Sequence, residues 1–567
     1  KGYKASYISV EVVMRRRAFA TFGRFRVPEP VNEVMLSYAQ GSRERAALQV
    51  ALDETQRQCP EIPCVIGGEH VKTGEIKNQV MPTRHNHVVS KSHQLTSEIV
   101  TAAIDAATKA KSQWAYMPFE HRAAVFLKAA DLLVSPRYRS RMMAATMLGQ
   151  GKNIWQAEID CIAELADFIR FNVKYAEEMY DAQPRILGSP GVWNRLEYRP
   201  LEGFVVAIAP FNFTAIGANL PSAPALMGNT VLFKPSEDSM LSNYLMYEIL
   251  VEAGLPAGVI NLLPGDGKLM GEIAFSHINF GGVHFTGSTK TFNHIWKTIA
   301  NNLDSYKSYP TIVGETGGKN FHFVHESACI ETFVNHTIRG AFEYQGQKCS
   351  ATSRAYIPDI LWGDIREKLL AQMTTVKMGC VTQFDCLVNA VINKKAFDRI
   401  TGYIERARRS QDCQIVFGGE YNESKGYFIQ PTIIVTTNPN YETMREEIFG
   451  PVLTIYVYDH TNLNQALQLC DSTADFALTG AIFANDRTAI RQIHRGLHNT
   501  AGNLYINDKS TGAIVGQQPF GGSRRSGTND KSGSAINLSC WVSPQTIKET
   551  FPPLLDYRYP HMFCQNP

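Results

Sequence analysis

The segment GFVVAIAP, residues 203–210, is a short apolar run that ends at a proline. A helical pattern near 218–227 follows it, and TVLFKP at 230–235 is again short, apolar and closed by a proline. The alternation continues with a helical pattern over 243–253 and the run VINLLPG at 259–265. Short buried strands that alternate with helices are typical of a parallel sheet with helices on both faces. The sequence therefore predicts a doubly wound α/β domain around this segment.

The same alternation returns in the second half of the chain. Its strand-like runs are NFHFV, SRAYIP, YFIQPTIIV, PVLTIYVY and TGAIFA. We therefore predict two α/β domains, a first one built from residues 27–183 and 201–315 and a second one built from residues 316–515.

The segment between the two parts of the first domain has a different pattern. Residues 184–200 form two extended runs around a Ser-Pro-Gly turn, which is typical of a β-hairpin. A hairpin that stands apart from a core needs a partner, so we predict that it serves an interface. Together with the C-terminal segment 516–567 it is expected to form a small β flap.

The composition of the 567 residues limits the possible functions. A formal charge of +3 is close to balance, so no large basic surface for nucleic acid is predicted. The longest uncharged run, 203–233, is interrupted by three prolines, so we predict no membrane span. The eleven cysteines form no C-x-x-C pair and no cluster at zinc spacing, which predicts reduced thiols and no metal site.

The first residues are strongly basic. Residues 1–26 contain seven Lys or Arg and a single acid, Glu11. An Arg-rich, acid-poor start is typical of an organelle targeting segment, although few serines and no clear helical period accompany it. A disordered basic tail is the alternative interpretation.

Three polar residues in separate motifs could carry covalent chemistry. Cys349 lies in EYQGQKCSATSR, where a buried core thiol and a nucleophile are both possible. Glu315 lies beside paired glycines in GETGGKN, and burial would raise its pKa towards that of a general base. Asn212 in APFNF could donate a side-chain N–H to an oxyanion. On the evidence of these residues alone, a buried core thiol remains the leading interpretation of Cys349.

Two loops after predicted strands could bind a nucleotide. FTGSTKT presents Gly287 and Ser288 before a helical run, where phosphate is favoured, although such a loop is usually only a turn. Lys234 and Glu237 follow another strand and could bind the hydroxyls of a ribose, or could be a solvated charge pair. No G-x-G-x-x-G motif follows a predicted strand, so a standard dinucleotide fingerprint is not indicated.

Six ordered motifs together resemble the aldehyde dehydrogenase superfamily. They are APFNFTAIGANLPSAPALMGNTVLFKPSE, FTGST, ETGGKN, EYQGQKCSA, EEIFGPV and PFGGSRRSGTND. GKNFHFVH, FEYQGQKCSA, YINDKSTG and IVGQQPFGG further resemble the branch that acts on 1-pyrroline-5-carboxylate. The resemblance covers about residues 30–553. It implies an NAD-binding domain, a catalytic domain and a small β oligomerisation flap.

The resemblance also implies a mechanism. The thiolate of Cys349 would attack the aldehyde carbon, and Asn212 with the Cys349 backbone N–H would hold the oxyanion. Hydride transfer to NAD would leave a thioester, which a water activated by Glu315 would hydrolyse. Lys348, the preceding residue, would either help to depress the pKa of the thiol or point its side chain away from it.

The remaining site residues are carried over from the same motifs. The residues implied for NAD are Ala209, Lys234, Glu237, Gly287, Ser288, Glu447 and Phe449. The residues implied for the substrate are Ser350, Gly512, Ala513, Phe213 and Phe520. Glu237 would repel a 2′-phosphate, so NAD is expected rather than NADP.

One substrate residue departs from the family pattern. Ala513 stands where the family commonly has serine, in the loop that binds the α-carboxylate of the substrate. A hydrogen bond to a charged group is worth about 1.5–3 kcal/mol, so we expect a working but weaker carboxylate site. The backbone N–H groups of Gly512 and Ala513 and the hydroxyl of Ser350 remain available.

The function implied is NAD-dependent oxidation of L-glutamate γ-semialdehyde to L-glutamate in proline catabolism. The resemblance and the basic start imply the mitochondrial matrix, and the flap implies a homodimer or an assembly of dimers. A dehydrogenase of another acidic semialdehyde, such as succinate semialdehyde, is the first alternative. A thiol hydrolase without nucleotide and a catalytically inactive binding protein on the same fold are the others.

Overall fold

The computed structural model describes residue 23 and residues 25–184 and 190–563. Most of the basic segment 1–26 and the start of the predicted hairpin lie outside these residues. None of the helices in the described ranges combines the length and the hydropathy needed to cross a bilayer.

The first sheet has seven strands, of which five are parallel. Its strands are, in spatial order, Thr311–Glu315, Phe280–Thr286, Phe204–Ile208, Thr230–Lys234, Ile260–Leu262, Cys64–Ile66 and Glu69–Val71. The first five pair in parallel and the last two add antiparallel strands at one edge. This is the doubly wound sheet that the sequence predicts.

The strand Phe204–Ile208 shows why this sheet is parallel. Phe204 and Val206 pack into one apolar cluster, and Val205 and Ala207 pack into another on the opposite face. A strand that is apolar on both faces needs helices on both sides, which is the arrangement of parallel sheets. The helices of this half are Arg43–Arg57, Ser97–Ala115, Phe119–Val134, Pro136–Gln150, Leu165–Asp181, Thr214–Leu226, Met240–Ala253, Gly267–Ala274 and Thr289–Asn301.

The second sheet repeats the arrangement with seven strands. They are, in spatial order, Cys413–Phe417, Thr432–Thr436, Val452–Tyr458, Thr352–Pro358, Asn320–Val324, Thr479–Phe483 and Asn503–Ile506. Only the first of them is antiparallel to its neighbour. The longer helices of this half are Ile330–Phe342, Asp359–Met373, Lys394–Arg409, Leu463–Ser472 and Arg487–Gly496. The predicted run YFIQPTIIV is divided here into Phe428–Ile429 and Thr432–Thr436.

The flap is a two-stranded antiparallel sheet. Val192–Pro200 pairs along its whole length with Val542–Thr550, from Val192 opposite Thr550 to Pro200 opposite Val542. A further three-stranded sheet contains Glu61–Ile62, Ile76–Met81 and Arg84–His93.

The long helical stretch before the flap, residues 154–181, contains an irregular segment. Ile154–Ala157 is α-helical, Glu158–Glu164 is a π-helix, and Leu165–Asp181 returns to the α-helix. The wider turn places the acids Glu158 and Asp160 in the protein interior. Single π-helical turns are frequent at functional sites.

Candidate active site

Four neighbouring strands of the first sheet end at one edge and position much of the site. Ile208 pairs with Lys234 and with Phe285, and Thr286 pairs with Glu315. The loops that leave these strands therefore start side by side. In open parallel sheets ligands bind at this carboxyl edge.

The thiol of Cys349 is held by a strained turn between the helix Ile330–Phe342 and the strand Thr352–Pro358. Tyr344 and Gln345 both have positive φ, 51° and 56°, which is uncommon for residues other than glycine. The Gln345 amide ties the turn down, since it accepts a hydrogen bond from Asn389 N at 2.8 Å and donates one to Ala390 O at 2.8 Å. Asn320 Nδ2 donates to Cys349 O at 2.7 Å.

Glu315 is the partner of this thiol. Cys349 Sγ donates a hydrogen bond to Glu315 Oε1 over 3.6 Å. Burial raises the pKa of Glu315 to about 8, although its hydrogen bond from Cys349 and the charge of Lys531 act in the opposite direction. Burial and the neighbouring charge of Glu315 raise the pKa of the Cys349 thiol well above its ordinary value. The resting pair is therefore a neutral thiol beside a carboxyl group that can take up a proton near neutral pH.

Of the two possibilities for Lys348, the structure favours the one in which its ammonium is paired away from the thiol. Lys348 Nζ forms an ion pair with Glu343 at 3.2 Å, and both side chains are buried. Its charge is compensated there, and the pKa of the neighbouring thiol is raised rather than depressed. The two side chains line the same cavity but have different partners, Glu343 for Lys348 and Glu315 for Cys349.

Asn212 lies next to the Cys349 turn. Its Nδ2 donates to Gln347 O at 3.1 Å, and the side chain is buried. Asp160 fixes the segment that follows, because its carboxylate accepts from Thr214 N at 3.0 Å and Ala215 N at 2.8 Å at the start of the helix Thr214–Leu226. The Asn212 amide and the Cys349 backbone N–H, which has no acceptor within the described ranges, are the two donors suited to an oxyanion.

A cavity of about 460 Å³ opens at this thiol. It brings together the predicted residues Cys349, Glu315, Ser350, Gly512, Ala513, Phe213 and Phe520. It also contains two residues that the sequence argument missed, Glu164 and Lys509. Burial and the charge of Asp160 raise the pKa of Glu164 to about 8. No signal in the sequence pattern marks Glu164 as a site residue, since it lies outside the apolar positions of its helix.

The loop that contains Gly512 and Ala513 lines the cavity and is held in place by hydrogen bonds to Ser350. Ser350 Oγ and Thr511 Oγ1 are 2.7 Å apart, and Ser510 Oγ donates to Ser350 O at 2.9 Å. The backbone N–H groups of Gly512 and Ala513 have no acceptor among the residues that the structure describes. Gly512 has φ of 100°, which favours glycine. This loop can bind a carboxylate through two N–H groups and a hydroxyl.

The residues expected to bind NAD lie outside this cavity, along the carboxyl edge of the first sheet. Ala209 N donates to Lys234 O at 3.0 Å, and the one partner of Lys234 Nζ among the described residues is Pro235 O at 3.3 Å. Burial lowers the pKa of Lys234, and the charge of Glu237 partly offsets this effect. A buried ammonium with a single carbonyl partner fits a ribose hydroxyl.

The next loop fits a diphosphate. Gly287 N donates to Glu315 O at 3.1 Å, and Ser288 Oγ caps the 13-residue helix Thr289–Asn301 by accepting from Thr291 N at 3.2 Å. A side chain at Gly287 would meet the ring of Phe285, since its Cβ would lie 2.7 Å from Phe285 Cζ. The positive end of the helix dipole favours an anion at this point.

Glu447, one of the residues expected to bind NAD, lies close enough to the Cys349 thiol for its charge to act on it. Its Oε1 accepts from Gly318 N at 2.8 Å, and burial raises its pKa to about 7. Its charge contributes to the raised pKa of the Cys349 thiol. Phe449, two residues later, packs edge-on against Phe211 with ring centroids 5.8 Å apart. These residues fit the nicotinamide end of a dinucleotide.

Comparison with known proteins agrees with this geometry. Residues 70–547 match the model of the aldehyde dehydrogenase family. The chain is 55% identical over 543 residues to the mitochondrial delta-1-pyrroline-5-carboxylate dehydrogenase of Dictyostelium discoideum, which covers 95% of this chain and 97% of that protein. It is 50% identical over 532 residues to the human mitochondrial protein of the same name, which covers 94% of both chains.

A solved structure of similar fold and sequence supports the same family. The crystal structure of the delta-pyrroline-5-carboxylate dehydrogenase from Mycobacterium tuberculosis bound with NAD superposes with a TM-score of 0.92. It is 46% identical in sequence, and the match covers 96% of this chain and 100% of that chain. The fold and family expected from the sequence are thereby confirmed, and this chain belongs to the aldehyde dehydrogenase family.

Proposed function

We propose that this enzyme oxidises L-glutamate γ-semialdehyde, the open form of 1-pyrroline-5-carboxylate, to L-glutamate with NAD, a step of proline catabolism. The observation that carries the proposal is the pairing of two opposite features in the cavity of Cys349. Glu164 offers a carboxyl group, which the ammonium of a bound substrate would favour in its ionised form, and the loop at Gly512 and Ala513 offers N–H groups without an acceptor in the described residues. An aldehyde that carries both an ammonium and a carboxylate is complementary to both. The printed names of the relatives point to the same substrate.

The chain's own residues support a covalent mechanism. Cys349 gives its proton to Glu315 as Sγ bonds to the aldehyde carbon, and the carbonyl oxygen becomes an oxyanion. Asn212 Nδ2–H and the Cys349 N–H stabilise that oxyanion. Glu315, deprotonated again, takes a proton from the water that attacks the resulting thioester carbon and releases the acid. The same carboxylate serves both steps because it lies 3.6 Å from Sγ.

The residues expected to bind NAD suit three different parts of that molecule. Lys234 and Glu237 would hold the adenosine ribose, the helix start at Gly287 and Ser288 the diphosphate, and Glu447 the nicotinamide ribose. NAD, when bound, supplies the hydride acceptor that turns the thiohemiacetal into the thioester. The carboxylate of Glu237 would repel a 2′-phosphate, which favours NAD over NADP.

Glu164→Gln tests the ammonium site. A neutral amide keeps the shape of the side chain but removes the acid whose ionised form would pair with the α-ammonium of the bound substrate. We expect the KM for glutamate γ-semialdehyde to rise on the order of tenfold or more, with a smaller change in kcat. Succinate semialdehyde has no ammonium group and is the matched control. Equal losses for the two aldehydes would contradict an ammonium site at Glu164.

The proposed substrate is tested by comparing kcat/KM for glutamate γ-semialdehyde, succinate semialdehyde and butanal. The proposal expects the highest value for the first, since only it satisfies both ends of the cavity. A higher kcat/KM for succinate semialdehyde would show that this aldehyde is the substrate instead of glutamate γ-semialdehyde. The absence of NADH formation with all three aldehydes would favour the hydrolase alternative, which has less support because the thiol's hydrogen-bond partner in the described structure is Glu315 and not a histidine.

We further propose that the flap forms a homodimer, or an assembly of dimers. The sheet of Val192–Pro200 and Val542–Thr550 pairs with no third strand in the described part of the chain. Its outer edges are therefore free to pair with another chain. Trp193 on this flap is 55% exposed, which suits burial in a subunit interface.

Light scattering of the purified protein tests this assembly. The wild type is expected to have at least the mass of a dimer, and Trp193→Glu is expected to dissociate it, because a charge would be buried in the interface. Tyr309→Glu, at an exposed aromatic residue outside the flap, is the matched control. A monomeric wild type would contradict the proposal.

The location proposed for the protein is the mitochondrial matrix. The basic composition of residues 1–26 and the word mitochondrial in the names of the Dictyostelium and human relatives support it. Imaging of the full chain fused to a fluorescent protein, with and without residues 1–26, would test the location.

A further inference from the structure

Four cationic side chains of the described residues line the cavity of Cys349, and two of them, Lys348 and Lys531, are held by protein oxygens. Lys348 is paired with Glu343 at 3.2 Å. Lys531 Nζ donates to Gly502 O at 2.8 Å and to Gly521 O at 3.0 Å. These two ammonium groups are therefore held by protein oxygens and cannot turn towards a substrate without losing those contacts.

Lys509 differs from them. Its Nζ has no hydrogen-bond or ion-pair partner within residues 25–184 and 190–563, and its side chain is only partly exposed at the cavity wall. The neighbouring acid Asp508 does not compensate it, since the Asp508 carboxylate lies 3.0 Å from His336 Nδ1 and accepts from the Lys509 backbone N–H at 2.7 Å. Lys509 thus retains an uncompensated charge beside the substrate cavity.

The direction of the Lys509 side chain follows from its contacts with two glycines. A Cβ built on Gly340 would lie 3.3 Å from Lys509 Cβ, and one built on Gly512 would lie 3.3 Å from Lys509 Nζ. The side chain therefore runs from the helix Ile330–Phe342 to the loop that presents the Gly512 and Ala513 N–H groups. A carboxylate bound to those N–H groups would be next to the ammonium.

We infer that Lys509 is a specificity-determining residue whose ammonium binds the carboxylate of the substrate at this loop. This inference rests on the proposed function, in which the substrate is an aldehyde that carries a carboxylate. The loop presents alanine rather than a hydroxyl at position 513, so charge from Lys509 complements the two N–H groups and the Ser350–Thr511 hydroxyl pair. Charge-assisted hydrogen bonds are about twice as strong as neutral ones, so the ammonium contributes much of the affinity.

The test compares Lys509→Gln and Lys509→Arg with the wild type on glutamate γ-semialdehyde, succinate semialdehyde and butanal. Lys509→Gln is expected to lower kcat/KM for the two carboxylated aldehydes by about ten- to a hundredfold, mainly through KM, and to leave butanal unchanged. Lys509→Arg keeps the charge and is expected to recover most of the loss. Binding of L-glutamate, measured by calorimetry, is expected to weaken in Lys509→Gln by a similar factor.

Arg339→Gln is the matched control, because Arg339 is an exposed cation at the mouth of the same cavity. It is expected to change kcat/KM less than threefold, as screened surface charges do. Equal losses for all three aldehydes, no loss for the carboxylated ones, or an equal effect of Arg339→Gln would overturn the role of Lys509. A wild type that prefers succinate semialdehyde overturns only the proposed substrate, and Lys509→Gln is then judged on succinate semialdehyde against butanal.

Discussion

Cys349→Ala is expected to lower kcat for NAD reduction on the order of 10⁴-fold or more, because no other group can form the covalent bond to the aldehyde carbon. Removal of a nucleophile affects the transition state and not the nucleotide cleft. Binding of NAD, measured by quenching of tryptophan fluorescence, is therefore expected to be retained. The purified variant is assayed for NADH formation with 1-pyrroline-5-carboxylate.

Cys386→Ala is the matched control for this variant. Cys386 is another free thiol with the same exposure, 8%, but it lies beside Gln383 and outside the cavity. Its substitution is expected to leave kcat within about twofold, since it touches none of the reacting groups. Appreciable dehydrogenase activity in Cys349→Ala would contradict a covalent mechanism at this residue.

Glu315→Gln is expected to lower kcat by about 10²- to 10⁴-fold and to change which step limits the rate. A cysteine thiol is strongly nucleophilic and ionises to a few per cent in neutral water, whereas water itself is a poor nucleophile. Loss of the carboxylate therefore slows hydrolysis of the thioester more than it slows attack by Cys349. Stopped-flow absorbance is expected to show a burst of about one NADH per subunit, followed by slow turnover. Slow turnover without a burst would place Glu315 in the attack step alone.

The carboxyl group of Glu315 also makes the rate of thioester hydrolysis depend on pH. Since Glu315 acts as a base only when it is deprotonated and its pKa is raised to about 8, hydrolysis in the wild type is expected to accelerate as the pH rises through that value. The rise is expected to be absent in Glu315→Gln.

The stability of the folded chain is expected to decrease as the pH rises, whereas the rate of hydrolysis is expected to increase. The folded chain binds the Glu315 proton more tightly than the unfolded chain, so the free energy of unfolding decreases as the pH rises from about 4.5, the ordinary value, to about 8. The Tm of Glu315→Gln relative to the wild type is therefore expected to increase over this range. A Tm difference that does not change with pH would contradict a raised pKa at Glu315.

The sequence predicted the parallel sheets well because each strand carries its own signal. TVLFKP is apolar on both faces and stops at a proline, and it forms Thr230–Lys234 as expected. The predicted helix near 218–227 forms as Thr214–Leu226 although Pro221 and Pro224 lie inside it. Its burial against the sheet compensates the lost backbone hydrogen bonds.

Parts of the site could not be predicted because they depend on local irregularities. The π-helix Glu158–Glu164 shifts the register of its helix, and apolar periodicity alone does not reveal the shift. The position of Glu164 in the cavity therefore does not follow from the sequence pattern. Adjacency in sequence leaves both directions open for the Lys348 side chain, whose ammonium the structure pairs with Glu343. Lys509 stands in the motif YINDKSTG, but its lack of a partner among the described residues is visible only in three dimensions.

The most direct measurement is the absorbance of NADH formed from NAD and 1-pyrroline-5-carboxylate by the wild type and by Cys349→Ala, with the organic product identified by mass spectrometry. The account predicts that the wild type forms NADH and L-glutamate in equal amounts and that the variant forms neither. NADH formation by the variant, or a wild type that forms no L-glutamate, would contradict it.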